Sequence, residues 1–145
     1  MNKKDEKKEI NEMSFEDFLN KSIDRSGKQK NEEKIDIPGW GSVPFRRPNN
    51  DQILDYLNAQ GNAIKFNKDG LIMGTDLKSL SESAAEFIYF TCPYLQNTSL
   101  QEAHEVKDPL DTAIKIFGVE NVVDIANLIL KKFNIEKTIR KSIKN

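Results

Sequence analysis

The residues of this 145-residue chain best able to do chemistry are one cysteine, one histidine and two pairs of carboxylates. Cys92 stands directly before Pro93, at the end of an apolar run. A nucleophilic thiol needs a base beside it, and nothing in the spacing requires His104 to reach it. A lone cysteine in such a setting usually packs as a small hydrophobe, and Cys92 is read that way. His104 has no second histidine and no cysteine at ligand spacing, so a zinc site has no support. Glu82/Glu86 and Asp51/Asp55 are four apart, which puts each pair on one helix face. They read as solvated faces, not as a general-acid pair. The glycines of GWG (39–41) and DGLIMG (69–74) fit neither phosphate-binding pattern. The expectation is a non-enzyme, with no catalytic residue, no metal site and no cofactor.

The elements that would position side chains are mostly helical. Asp108 is a good N-cap, Pro109 suits the first helical position, and Leu110, Ala113, Ile114 and Phe117 follow at helical spacing up to a stop at Gly118. A second helix is expected from about 120 to 133. Val122, Ile125, Ala126, Ile129 and Phe133 make its main stripe, while Val123, Leu128 and Leu130 lie off it. This pair, 108–133, is the most apolar part of the chain and the expected centre of its core. Earlier helices are predicted over 51–60, with Ile53, Leu54 and Leu57 inward, over 79–91, and from Thr98. Residues 35–48, IDIPGWGSVPFRRP, alternate and carry turn residues. They predict a two-stranded ribbon or extended pair, with Pro44 on an edge and Arg46 and Arg47 exposed. Residues 62–75 read as a loop or loose hairpin around 67–70. Residues 1–13 have almost nothing to bury and predict disorder. Ser14 opens a short helix to about residue 23, and 24–34 read as linker.

The fold class is therefore mainly α: a small helical domain with a short β-ribbon or extended segment and a disordered N-terminal tail. The expected divisions are a flexible charged region, 1–34, a helical domain, 35–136, and a basic tail, 137–145. Net charge is −1, unevenly spread. Residues 51–130 carry 12 acidic and 5 basic side chains, a net of −7, whereas 131–145 carry 6 basic and 1 acidic, a net of +5. The acidic middle argues against a nucleic-acid surface, and a basic helix end suits the helix dipole. No apolar run approaches the ~20 residues of a membrane span. The opening MNKKDEKKEI lacks the apolar stretch of a signal peptide, and a single cysteine fits a cytosolic compartment.

The run FIYFTCPYLQNTSLQEAHEVKDPLDTAIKIFGVENVVDIANLILKKF, 87–133, resembles the C-terminal half of phage tail assembly chaperones. These are small proteins encoded near the tail tube and tape measure genes in phages and phage-tail-like elements of Gram-positive bacteria. Thr91-Cys92-Pro93-Tyr94-Leu95 looks like the stretch that closes a helix in that family. Asn97 to Gln101 looks like its following cap and short helix. Asp108–Phe117 and Asn121–Phe133 look like its paired final helices. The Gly61–Thr75 connection and the long basic tail depart from the pattern. The resemblance implies a chaperone that binds the tape measure protein, keeps it soluble, and helps tail tube subunits assemble around it. It would work in the bacterial host cytoplasm and be missing from the finished particle. Lys, Asn and Ile counts of 18, 14 and 15 suit an AT-rich genome.

Two other classes compete with that reading. One is a DNA-binding regulator using the last helix and basic tail; the other is a permanent structural subunit of a tail-like particle. The expected partners are the tape measure protein and the tail tube protein, with a homo-oligomer open and no membrane. The residues expected to meet a partner are Trp40, Phe45, Val123, Leu128 and Leu130. Trp40 reads either as a cap on the core or as an exposed aromatic anchor. For the last three, the alternative is cover by the neighbouring helices 51–60 and 79–91.

Overall fold

The structure, a computed structural model, describes residues 11–135. The tail 137–145 and most of the segment expected to be disordered lie outside the described residues. The chain divides into two compact units, Met1–Lys30 and Asn31–Asn145. It is mostly helical, with two small antiparallel hairpins, in line with the expected class.

The first unit carries helix α1, Phe15–Lys28. Ser14 caps it, its hydroxyl accepting from the Asp17 backbone N–H at 3.1 Å. The helix runs five residues past the expected end at 23, through part of the predicted linker. Arg25 and Lys28 suit its last turn, and Lys28 pairs with Asp24 at 3.0 Å. None of its residues is buried, so Phe15, Phe18, Leu19 and Ile23 form an exposed apolar stripe.

The second unit opens with hairpin β1 (Glu32–Ile37) and β2 (Gly41–Arg46), so the linker expected up to 34 is already strand. Ile35 lies opposite Val43, and Pro44 opposite Lys34. A two-stranded sheet has only edges, which is where proline is tolerated. Alternation buries Ile35, Ile37 and Phe45 on one face. Helix α2 (Asn50–Ala63) follows, with Asn49 and Gln52 closing a reciprocal capping box. Gly61 does not stop it. Ile53 and Tyr56 point inward, but Leu54, expected inside, is exposed. Ile53, Tyr56 and Leu57 make one helical stripe, and Leu54 falls outside it.

Hairpin β3 (Ile64–Phe66) and β4 (Ile72–Thr75) fills the expected loose connection. Helix α3 (Leu77–Thr91) is capped by Asp76 and ends at Cys92, before Pro93. A 3-10 turn (Pro93–Gln96), helix α4 (Thr98–Ala103) and a second 3-10 turn (Pro109–Asp111) lead to α5 (Thr112–Phe117) and α6 (Val122–Lys132). Asp108 caps the 3-10 turn, not a continuous helix from 109 to 117.

The centre of the core is α3, not the 108–133 pair. It packs against α2, α5, α6 and both 3-10 turns, while β1 rests on α6 and β2 on the first turn. Its stripe of Ala84, Phe87, Ile88 and Thr91 is buried, and Phe87 stacks on Tyr56 with ring centroids 5.0 Å apart. Ala84 and Ala85 are buried on this helix as well, at 0 % and 1 % exposed.

Candidate partner-binding groove

Two turns in the second unit build one groove. In the β1–β2 turn the Trp40 backbone N–H donates to the Ile37 carbonyl at 2.8 Å. The flanking residues Gly39 and Gly41 take φ +85° and +99°, angles that favour glycine. The turn holds the indole at the hairpin tip. The second turn joins α5 to α6 at Gly118, φ +89°. There the Asn121 side-chain amide donates to the Phe117 carbonyl at 2.8 Å. Phe117 meets Trp40 edge to face, centroids 5.3 Å apart and planes at 76°.

Between these turns lies a groove of about 390 Å³. Trp40, Phe117, Ile125 and Leu128 give it apolar walls, and Asn121 and Asp124 its polar edge. Asp124 is in no ion pair among the described residues. The chemistry suits one or two apolar side chains from a helix whose flank offers a cation or an amide, the helix-in-groove mode of recognition.

The five residues expected to meet a partner separate. Trp40 (57 % exposed) and half-buried Leu128 come together in the groove. Phe45 and Leu130 do not reach the surface: both are buried, at 1 % and 0 % exposed. Phe45 points inward from β2 with Ile35 and Ile37. Leu130 extends the buried stripe of α6, so the buried arc is wider than one stripe. Val123 is half-buried on the other flank, about 140° round the helix from Leu128 at 3.6 residues per turn. On the flank of Val123, Asn127 accepts hydrogen bonds from Tyr56 (3.3 Å) and Gln60 (2.8 Å) of α2. That flank faces α2.

Arg46 and Arg47 are tied down rather than free. Arg46 donates to Gln96 Oε1 at 2.9 Å, and Arg47 donates to the Phe133 carbonyl while its guanidinium lies 5.9 Å from that ring's centroid. The basic side chains of α6 itself, Lys131 and Lys132, sit in its last turn. Cys92 is fully buried, and His104 is exposed at the end of α4. Burial pushes the Cys92 thiol up, partly offset by backbone N–H groups of Leu95 and Tyr94 and by Arg46. The thiol stays protonated at neutral pH and is a poor nucleophile. The carboxylates Asp51, Asp55, Glu82 and Glu86 are all exposed, as expected. Asp55 and Glu86 nevertheless share a second groove, of about 300 Å³, between α2 and α3. Among the described residues no group of three or more His, Cys, Asp or Glu side chains could hold a metal ion, and no helix is long and apolar enough to cross a membrane.

Sequence reasoning missed Phe117, Ile125 and Asp124 as groove residues. Phe117 and Ile125 carry the pattern of core residues and reach the groove with one edge only. It also missed the exposed apolar side chains of the second hairpin, because a three-residue strand leaves no readable alternation. Comparison with family models, with curated proteins and with solved structures finds no match.

Proposed function

We propose that this chain is a non-enzymatic phage tail assembly chaperone that binds the tape measure protein and assists tail tube assembly. The observation that supports this reading is the groove, where exposed Trp40 meets Phe117 edge to face and Leu128 lines the same cavity. A tape measure protein is a long helical chain with apolar stripes that aggregates when bare. A groove of about 390 Å³ has room for one or two apolar side chains of such a helix and shields them from water. The likeness of residues 87–133 to the family points the same way. Binding takes place in the host cytoplasm, before the particle is complete.

Co-expression with the adjacent tail genes, followed by pull-down, tests this. The tape measure protein should be captured by the natural chain and lost from Trp40→Ala and Leu128→Asp. No capture, or equal capture by both variants, overturns the reading. Purified particles should lack the chain; its presence there would make it a permanent structural subunit.

A further inference from the structure

The groove beside Trp40 has a polar edge of one chemical sense. Asn121 and Asp124 form it. The Asn121 amide nitrogen already donates to the Phe117 carbonyl at 2.8 Å, and its side-chain oxygen is an acceptor. An ionised carboxylate such as Asp124 only accepts. No lysine or arginine lines the groove, and Asp124 is in no ion pair among the described residues. Nor does its own helix supply a cation within reach. The residues three and four away from Asp124 are Glu120, Asn121, Asn127 and Leu128. Lys131 and Lys132 stand about 10–12 Å further along the axis of α6.

We infer that the groove selects a helix carrying a lysine or arginine one turn from its apolar anchor, and that Asp124 receives that cation. The inference rests on reading the groove as a helix-docking site and adds the sign of charge its occupant must carry. Two observations favour a cation over an amide or a hydroxyl. First, lysine and arginine are the side chains that donate without accepting, so they match an edge of acceptors, whereas an amide would bring an acceptor with no partner there. Second, the surroundings are negative. Glu120 stands one turn before Asp124, and residues 51–130 carry a net charge of −7, a field that favours a positive ligand. The apolar walls suit the same residues, because their alkyl stems pack on apolar surface while the charged head reaches the edge. A carboxylate in the first turn of α6 also suits the helix dipole, but that role does not distinguish one ligand from another.

Two synthetic helical peptides without tryptophan test it. They share one apolar stripe and differ only in the residues one turn from its centre, lysine in one and glutamate in the other. Emission from Trp40, the one tryptophan of the chain, reads their binding to the full chain. The lysine peptide should bind about 5- to 10-fold more tightly, since an exposed pair attracts in one case and repels in the other. Added salt should narrow that gap. Asp124→Asn should bring the two peptides to within about twofold of each other, and Asp124→Lys should reverse their order. Asp124 is exposed, so circular dichroism should show both variants folded. A role confined to the helix dipole would move both peptides alike. The inference is overturned by equal binding of the two peptides, by a preference that survives Asp124→Asn, or by Trp40 emission that neither peptide shifts. Capture of the tape measure protein is a separate readout. Peptides that discriminate without such capture leave the inference standing and remove the partner reading; capture without discrimination does the reverse.

Discussion

The Trp40 indole meets the Phe117 ring edge to face at 5.3 Å, joining the tip of a β-hairpin to the end of a helix 77 residues further along. Trp40 is the one tryptophan of the chain, so its fluorescence reports on the groove directly. An exposed indole emits at long wavelength. Occupation of the groove by an apolar partner should shift that emission to the blue. Trp40→Ala should lower stability by only about 0.5–1.5 kcal/mol, the contribution of an aromatic pair. Thermal melting and pull-down on the same variant separate that small cost from loss of binding.

Leu128 and Leu130 should respond in opposite ways. Leu130 has no exposed surface, and Leu130→Ala should cost about 2–5 kcal/mol. Leu130→Lys places an unpaired charge in the core and should unfold the unit. Leu128→Asp lies on the groove edge and should leave the melting temperature nearly unchanged. Denaturant titration of the three variants checks the order. A folded Leu130→Lys would remove that residue from the core.

Gly118 sets how α6 leaves α5. Its φ of +89° is strained for any residue with a β-carbon. A β-carbon would also crowd the carboxylate of Glu120, which can swing away. Gly118→Ala should therefore cost about 1–3 kcal/mol, almost all of it backbone strain. The groove should open as Phe117 shifts, which Trp40 emission would register as a further red shift.

Two groups give stability a predictable pH dependence. The backbone N–H of Ser79 donates to the Asp76 carboxylate at the start of α3, and that bond is the largest of the effects holding its pKa below the ordinary value. A lowered folded pKa contributes stability above the unfolded pKa and loses it as pH falls through the folded one. Asp76→Asn should keep the cap but flatten this acid limb. Cys92 acts at the other end. Burial raises its pKa, so its contribution is complete below the unfolded value and is lost as pH rises through the folded one. Melting curves across pH, with Cys92→Ala as the alkaline control, test both signs. A thiol reagent should label Cys92 only as the unit unfolds.

Local chemistry by itself determined where the elements of this protein begin and turn. Ser14, Asn49 and Asp76 each cap a helix through their own side chains, Gly118 ends α5, and Pro93 closes α3. Each of these is decided by a side chain and the backbone within four residues of it, so the linear order of residues contains it. Alternation likewise placed the inward face of β1. The sides of the longer helices were decided elsewhere. Leu54 and Leu130 are the same residue type at comparable places on amphipathic helices, yet one is exposed and the other fully buried. The difference is what packs beside them. α3 packs along α6 and its buried arc extends to Leu130, whereas Leu54 lies outside the inward stripe of α2 and stays in water. The groove has the same origin. Trp40 and Leu128 are 88 residues apart, and no periodicity links them. Only the packing of β1 on α6 brings them to one surface. Burial depends on the summed area of neighbours that the chain brings together in space, and that is a property of the tertiary structure.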